Sequence, residues 1–445
     1  MYNVSFAVIL ALASFLPVTA GELLGNFRLD TFITPVGTAA DNHGNLFVAG
    51  NTTTWLKDSV GNHIGTSPVF VVSRWLRGSS QPQHIRTLRF PQCTGAALAM
   101  DASEAVWFLA RCSGVGTVLR RYHRDGNLIG GINLDVDSGS VPTQSHLSGA
   151  IAADADGNLF VAGIVIPTSS DDATPPALFV LKLRSEDGRH VPAVLYRTAL
   201  EGFVKDDQVK AITVDRDGSV WVAGTTSSRA FPHTPDAWIS SRTGETDGFA
   251  LKLNPESSLV YSTLIGGSDR DSVTGLALDG GGAVLIAGGT RSTDFPIVGN
   301  ASLAPGTTNS FLLRLAPDGQ PRYSGYLTGD AYALSADAVG RTILSRSNRP
   351  CDGCLASASV VSEIDPSTAS IIDDYQIPQA SGPQFLASAP DGAIVLLCSA
   401  GVVGNLLSNL PSLQIVNFSR PLEGWVTTNK SRHSLGTIPS VFIFR

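Results

Sequence analysis

Charged side chains stand directly before three apolar segments in the middle of the chain. The candidate ligand-binding residues in these positions are Asp206, Asp207, Asp269, Arg270, Asp271 and Asp330. If the apolar segments are neighbouring strands with a common direction, their leading loops share one edge and the carboxylates gather there. Gathered carboxylates attract cations or basic ligands, but tight calcium binding needs about six to eight converging oxygens. The pattern therefore predicts a rim with a weak, salt-sensitive preference for cations or basic partners and no tight metal site, with an ordinary solvated loop rim as the alternative.

Two of the five cysteines flank a predicted hairpin turn. Cys93 lies eight residues before Asp101, and Cys112 lies eight residues after Glu104, at the other end of that turn. Directly opposed cysteines on antiparallel strands can reach disulfide distance, provided that no bulge shifts the register. The spacing therefore predicts a Cys93–Cys112 disulfide.

A second cysteine pair, Cys351 and Cys354, forms a C-x-x-C motif. Such a motif can be redox-active or can supply half of a metal site, but no second motif and no clustered histidines accompany it. We expect a small loop-closing disulfide here, with a redox-active pair as the alternative.

Aspartate-rich turns resemble parts of a calcium loop. Asp154, Asp156 and Asn158 form one such turn, and Asp215 and Asp217 begin another. Neither turn has the further carboxylates of an oxygen cage, whereas Asp and Asn are common turn formers. The pattern favours plain turns over calcium sites.

Recognisable catalytic motifs are missing from the sequence. It has no nucleophile elbow, phosphate-binding loop or zinc-protease motif, and its eight histidines are scattered. We therefore assign no catalytic residues and no cofactor, although folding can bring residues from distant segments together in one site.

The overall composition is that of a globular, mildly acidic protein. The 445 residues include 31 Lys and Arg against 38 Asp and Glu, a formal charge of −7, and 43% are apolar. Too few residues are charged for a disordered chain. Binding to nucleic acid is not expected, because phosphate recognition requires a basic face.

The N-terminus has the pattern of a secretory signal. The run from Phe6 to Leu16 is apolar but too short to cross a bilayer, and Val18 and Ala20 fit a cleavage site before Gly21. We predict a signal peptide at 1–20, a single domain at 21–445, and a secreted, periplasmic or cell-surface location. No later segment indicates a membrane span.

One phrase recurs seven times along the chain. It is an apolar strand, a turn built on Asp-x-x-Gly and a second apolar strand that ends in Ala-Gly, as in Ala152–Gly163 (AADADGNLFVAG). The turn position falls at Gly44, Glu104, Gly157, Gly218, Gly282, Gly340 and Gly392, with spacings of 52 to 64 residues. Alternating segments such as Phe179–Leu183 (FVLKL) and Val260–Ile265 supply two further strands per unit.

Four antiparallel strands in each of seven units predict an all-β, seven-bladed β-propeller, in which neighbouring sheets cover each other's faces. Leu23–Leu29 precedes the first unit, where it is expected to complete the seventh blade and close the ring. The preceding strand of that blade is either Leu413–Phe418 or Ser440–Arg445.

Three segments are similar to a known repeat. Residues 224–235 (GTTSSRAFPHTP), 248–267 (GFALKLNPESSLVYSTLIGG) and 274–296 (TGLALDGGGAVLIAGGTRSTDFP) resemble the bacterial SBBP-type β-propeller repeat. The resemblance implies a seven-bladed propeller outside the cytoplasm. It implies no activity, because that repeat has no catalytic motif.

Repetition without a unique catalytic phrase favours a secreted or periplasmic binding or scaffold module. We expect a monomer that binds an unknown protein or carbohydrate partner on its loop face. The alternative is a propeller enzyme, such as a lyase, a lactonase or a glycan-active hydrolase, with its site at the mouth of the central channel.

Overall fold

The computed structural model describes most of the repeats and a strand near each end of the chain. The described residues are 22–28, 34–41, 43, 45–57, 60, 63–76, 83–134, 149–166, 175–184, 191–279, 281–299, 308–336, 342–348, 358–365, 368, 371–377, 381–388, 393–399 and 412–417. The predicted signal peptide at 1–20 and the Cys351–Cys354 motif lie outside them. Within these residues, no helix has the length and apolar character to cross a membrane.

Six four-stranded antiparallel sheets are each formed by strands that follow one another in the chain. After the first strand, β1 (Glu22–Arg28), sheet 1 contains β2 (Thr34–Ala40), β3 (Leu46–Lys57), β4 (His63–Leu76) and β5 (Gln83–Pro91). Sheet 2 contains β6 (Cys93–Met100), β7 (Val106–Cys112), β8 (Gly116–Tyr122) and β9 (Leu128–Asn133). Sheet 3 contains β10 (Gly149–Ala153), β11 (Asn158–Val165), β12 (Ala177–Arg184) and β13 (Ala193–Leu200).

The other three consecutive sheets follow the same plan. Sheet 4 contains β14 (Gln208–Val214), β15 (Val220–Thr226), β16 (Asp247–Leu253) and β17 (Leu259–Ile265). Sheet 5 contains β18 (Asp271–Leu278), β19 (Val284–Thr290), β20 (Thr308–Leu315) and β21 (Pro321–Thr328). Sheet 6 contains β22 (Ala331–Ala336), β23 (Thr342–Asn348), β24 (Ala358–Ile364) and β25 (Ile371–Ile377).

A composite sheet joins the two ends of the described chain. It contains β26 (Ser381–Ser388), β27 (Ala393–Ser399) and β28 (Ser412–Asn417), and its outer strand is β1. Phe27 pairs with Leu413 across the β1–β28 ladder. Of the two candidates for the preceding strand, the structure therefore uses the segment at 412–417, and the segment at 440–445 lies outside the described residues.

The first strands of successive sheets contact one another. β2, β6, β10, β14, β18, β22 and β26 each contact the next in this order, and β26 also contacts β2. These contacts, with four antiparallel strands in each sheet, define a β-propeller. The predicted all-β class and the four-stranded antiparallel units are confirmed.

The hydrophobic core lies in layers between neighbouring sheets. One layer packs Phe160 and Val180 of sheet 3 against Val222 and Phe249 of sheet 4, and the next packs sheet 4 against sheet 5 around Phe311. Each sheet alternates its side chains between two faces, so a layer on each face covers both. A single sheet would leave both of its apolar faces exposed to solvent.

The terminal Ala-Gly of the repeat has a steric cause. A methyl group on Gly224 would lie 2.0 Å from the carbonyl oxygen of Gln208 and 2.8 Å from the Phe249 ring. Gly288 is equally crowded, by Ser272 and Phe311. The second strand therefore needs glycine where it passes between the first strand and the buried aromatic ring of the third.

Candidate functional site

The charged loops singled out in the sequence lie at one edge of the sheets. The amide of Asp271, which begins β18, donates to the carbonyl of Thr246 at the start of β16. The Ser310 hydroxyl near the start of β20 likewise donates at 2.5 Å to the carbonyl of Gly329, just before β22. First and third strands of a sheet run in the same direction, so these contacts place the leading loops on one edge. We call residues 201–207, 227–246, 266–270, 291–299 and 329–330 the rim.

Asp207 is buried at the rim and holds its loop in place. Its carboxylate accepts hydrogen bonds from the amide of Val204 (2.9 Å), the hydroxyl of Thr226 (2.9 Å) and the amide of Ser227 (2.7 Å). Burial raises the pKa of Asp207, although these hydrogen bonds oppose the shift. Both oxygens already have partners in the protein, so Asp207 acts as an internal cap between the first and second strands.

Asp271 occupies the equivalent place in the next sheet. It is 1% exposed, and its Oδ2 accepts hydrogen bonds from the Gly267 amide and the Ser292 hydroxyl, both at 2.8 Å. Burial is again the main cause that raises its pKa. The sequence placed Asp207 and Asp271 among exposed ligand-binding carboxylates, and the structure instead buries both beneath the loops.

Asp206, Asp269 and Arg270 are the exposed members of the predicted set. Arg270 forms a bidentate ion pair with Glu245 of the preceding sheet, through Nε (2.6 Å) and Nη2. The hydrogen bond from Arg270 lowers the pKa of Glu245. The amide of Asp269 donates to the Ser292 hydroxyl at 2.9 Å, so its backbone is anchored while its side chain remains in solvent.

Asp330 is half-buried at the rim of sheet 6. Its amide donates to the Ser347 hydroxyl at 2.8 Å, and its carboxylate lies 3.3 Å from the same oxygen. The charged residues predicted to bind a ligand thus come from three sheets, at 206–207, 269–271 and 330. Each group contacts residues of its own sheet or of the adjoining sheet. The prediction that they bind a ligand together stays a prediction.

The exposed rim carries charges of both signs. Asp206, Asp269, Glu245 and Asp294 are exposed, and so are the basic side chains of Lys205, Arg270 and Arg291. Because the burial of Asp207 and Asp271 removes two carboxylates from the surface, the rim is less acidic than the sequence suggested.

The Asp-x-x-Gly turns lie at the opposite edge and are internally bonded. In five of them an aspartate Oδ1 accepts the amide of the residue four positions later; the pairs are Asp41 with Asn45, Asp101 with Ala105, Asp154 with Asn158, Asp215 with Ser219, and Asp279 with Ala283. The Oδ2 of Asp154 also accepts from the Asn158 side chain, at 2.6 Å. These hydrogen bonds support the turn interpretation.

The predicted disulfide is present at the rim edge of sheet 2. Cys93 begins β6 and Cys112 ends β7, and their Cα atoms are 4.1 Å apart. This prediction is confirmed. The disulfide therefore links β6 and β7 at the rim edge of their hairpin.

Asp247 is a buried residue directly beneath the rim that sequence reasoning missed. It begins β16, is fully buried, and lies beside Asp271; burial first, and then the Asp271 charge, raise its pKa to about 6. A signal was available, because alignment of the third-strand phrases DGFALKL and ALFVLKL places Asp247 where the preceding copy has Ala177. Only the fold brings it against Asp271, which is 24 residues later in the chain.

Comparison with known proteins finds similarity in structure alone. No family model matches the chain. No curated protein sequence matches it. Among solved structures, it is similar to the WD40 repeats of RRP9 (TM-score 0.49, 10% identity, 89% of this chain and 97% of that chain) and to U3-55K (TM-score 0.49, 9% identity, 89% and 98%). It is also similar to a protein of unknown function from Bacteroides caccae (TM-score 0.40, 11% identity, 69% and 90%).

Proposed function

We propose that this protein is an exported, non-catalytic β-propeller that binds a partner protein at the rim. The observation that carries the proposal is the rim itself. Its loops carry exposed charges of both signs, and hydrogen bonds within the protein hold the ends of these loops in place. Asp207 and Asp271 hold these ends through hydrogen bonds to neighbouring loops. Charges held in this way can match a partner surface without ordering the loops first.

The proposal includes a closed ring of seven blades of the SBBP-repeat type. The composite sheet and the contact between β26 and β2 support closure. A closed ring leaves only short protected edges and gives the rim loops a common platform.

Export is part of the same proposal. It is supported by the apolar N-terminal segment with its cleavage pattern and by the Cys93–Cys112 disulfide, since disulfides persist mainly in oxidising compartments. N-terminal sequencing of the exported protein tests it, with Gly21 as the expected first residue.

Partner binding is tested with a matched pair of variants. The rim variant replaces Asp206, Asp269 and Arg270 by alanine. The control variant replaces Asp125 and Asp318 by alanine; both are exposed turn residues between third and fourth strands, at the edge opposite the rim. Wild type and both variants are screened against a display library of secreted proteins and a glycan array, at low and at high salt.

We expect a protein ligand that wild type and the control variant retain and the rim variant loses, with an affinity that falls as salt rises. Equal binding by the rim variant would contradict docking at the rim. Turnover of a library substrate by the wild type would favour the enzyme alternative.

A further inference from the structure

Two buried carboxyl groups lie close together beneath the rim. Asp247 is 0% exposed and Asp271 is 1% exposed. Both lie beside Gly266, where an added methyl group would stand 3.0 Å from Oδ1 of Asp247 and 2.7 Å from Oδ2 of Asp271. Gly266 therefore lies close to both carboxyl groups and has no room for a side chain.

Each of these groups has one buried oxygen without a hydrogen bond of good geometry, and we call these oxygens unpartnered. They are Oδ1 of Asp247 and Oδ1 of Asp271, although the Gly244 amide and the Thr290 hydroxyl lie near the two carboxyl groups and lower their pKa values. The other oxygen of Asp271 accepts two hydrogen bonds at 2.8 Å, whereas that of Asp247 has the Thr243 amide at 3.4 Å. A buried carboxylate oxygen without a donor is costly, and a bound ion or water can remove this cost.

The neighbouring sheet provides an internal comparison. Asp207 holds the same position as Asp271, but the residue equivalent to Asp247 is Ala177. Both oxygens of Asp207 accept hydrogen bonds from the protein. The unpartnered oxygens therefore occur where a second carboxyl group, that of Asp247, lies beside the first. A single aspartate at this position, such as Asp207, does not have one.

We propose that Asp247 and Asp271 bind a divalent cation of the calcium type through their unpartnered oxygens. Hard cations take carboxylate oxygens as ligands and complete their shell with backbone carbonyls and water. The charge balance is favourable, because the two carboxylates and the nearby Asp294 outweigh the guanidinium of Arg242 that acts on Asp247. The site is independent of the partner proposed above, since it uses none of the exposed rim residues.

A cation here would link two loops of the rim. Asp247 directly follows the 227–246 loop of sheet 4, and Asp271 directly follows the 266–270 loop that leads into sheet 5. These loops carry Glu245 and Arg270, which form the ion pair between the sheets. Binding would therefore stiffen the junction between two sheets without adding a surface charge.

Thermal unfolding of the full chain tests the site. Wild type, Asp247→Asn and the matched control Asp207→Asn are each unfolded in chelator and in millimolar Ca²⁺. We expect Ca²⁺ to raise the Tm of wild type and of Asp207→Asn but not that of Asp247→Asn. In chelator, we expect Asp247→Asn to unfold at a higher temperature than wild type, because the substitution removes the repulsion between the two carboxylates.

Calorimetric titration of Ca²⁺ into wild type keeps the test valid if a variant does not fold. Heat of binding with one site per chain is expected, within the range of about 10⁻⁴–10⁻³ M that extracellular modules show. The proposal would be overturned if no binding occurred up to ten times the upper end of that range. It would also be overturned if Ca²⁺ raised the Tm of Asp247→Asn as much as that of wild type. A Tm that does not change with Ca²⁺, but rises on acidification in wild type and not in Asp247→Asn, would also overturn it. That result would show that the carboxyl groups of Asp247 and Asp271 share a proton.

Discussion

Glu104 shows at the residue scale how one copy of the repeat departs from the others. It has a φ of 62° at a turn position where Gly157, Gly218 and Gly282 have values of 79° to 85°. This left-handed region is strained for a residue with a side chain. The Glu104 carboxylate contacts His43 Nδ1 at 3.1 Å and Arg124 Nη1 at 2.7 Å. Because His43 belongs to the neighbouring turn of sheet 1, these contacts link two sheets.

The strain at Glu104 predicts an order among its variants. Glu104→Ala loses the contacts with His43 and Arg124 and keeps the strained backbone, whereas Glu104→Gly loses the same contacts and relaxes the backbone. We expect the glycine variant to be more stable than the alanine variant by about 1 kcal/mol in urea unfolding. Equal stabilities would contradict a strained turn.

Asp247 predicts a pH dependence of stability in the absence of metal ions. Its pKa of about 6 in the folded protein exceeds its ordinary value, so the folded state binds the proton more tightly than the unfolded chain. This contribution to stability is complete below the unfolded value of about 3.9 and is lost as pH rises through about 6.

Urea midpoints of wild type and Asp247→Asn, measured in chelator between pH 4 and pH 8, isolate this effect from other carboxyl groups. The urea midpoint of wild type, relative to that of Asp247→Asn, should fall as pH rises. The difference between the two midpoints should become constant above pH 7. A pH-independent difference would show that Asp247 titrates normally.

The hairpin β6–β7 shows at the element scale how a bulge sets the pairing of two cysteines. Near the turn, Met100 pairs with Val106, and that register carried along the strands would place Cys93 opposite Ser113. A bulge between Gly95 and Ala97 shifts the pairing by one residue and brings Cys93 opposite Cys112. The predicted disulfide is thus correct, although the assumption of an unbroken ladder was wrong. First strands of other sheets carry a bulge at the equivalent position, as in β14 and β18.

Loss of the disulfide is expected to have a moderate effect. The two cysteines are 19 residues apart, and the hairpin ladder already restrains the loop that they close. We expect Cys93→Ala with Cys112→Ala to lower the free energy of unfolding by less than about 3 kcal/mol. Reduction of wild type by dithiothreitol should reproduce the change. A larger loss would mean that the bridge holds more than its own hairpin.

At the scale of the whole molecule, the outer strand of the composite sheet comes from the other end of the chain. β1 pairs with β28, so the first and last described strands hold each other. Without β1, the outer edge of β28 would present unpaired backbone groups, which favour association with other chains.

Deletion of residues 22–28 tests this role. We expect the Tm to fall by at least about 5 °C, and aggregation to increase, because the composite sheet loses one of its four strands. Deletion of residues 1–20 is the control and should leave the Tm unchanged. If both deletions behave alike, β1 does not hold the composite sheet together.

The repeated phrases alone determined the all-β class, the four-stranded units and the use of the N-terminal strand in the last sheet. They could do so because alternation, turn residues and repeat spacing are local properties of a chain. The pairing of Cys93 with Cys112 followed from the same local pattern, but only the folded hairpin showed the bulge that makes it possible.

The tertiary structure decided which charged residues are exposed. Asp206 and Asp207 are adjacent in sequence, yet Asp206 lies in solvent and Asp207 is buried, because only Asp207 can reach Thr226 and Ser227 on the second strand. Asp247 and Asp271 meet because β16 and β18 begin side by side in neighbouring sheets. Contacts between sheets depend on the packing of one repeat against the next, and that packing leaves no mark in the spacing of residues within a repeat.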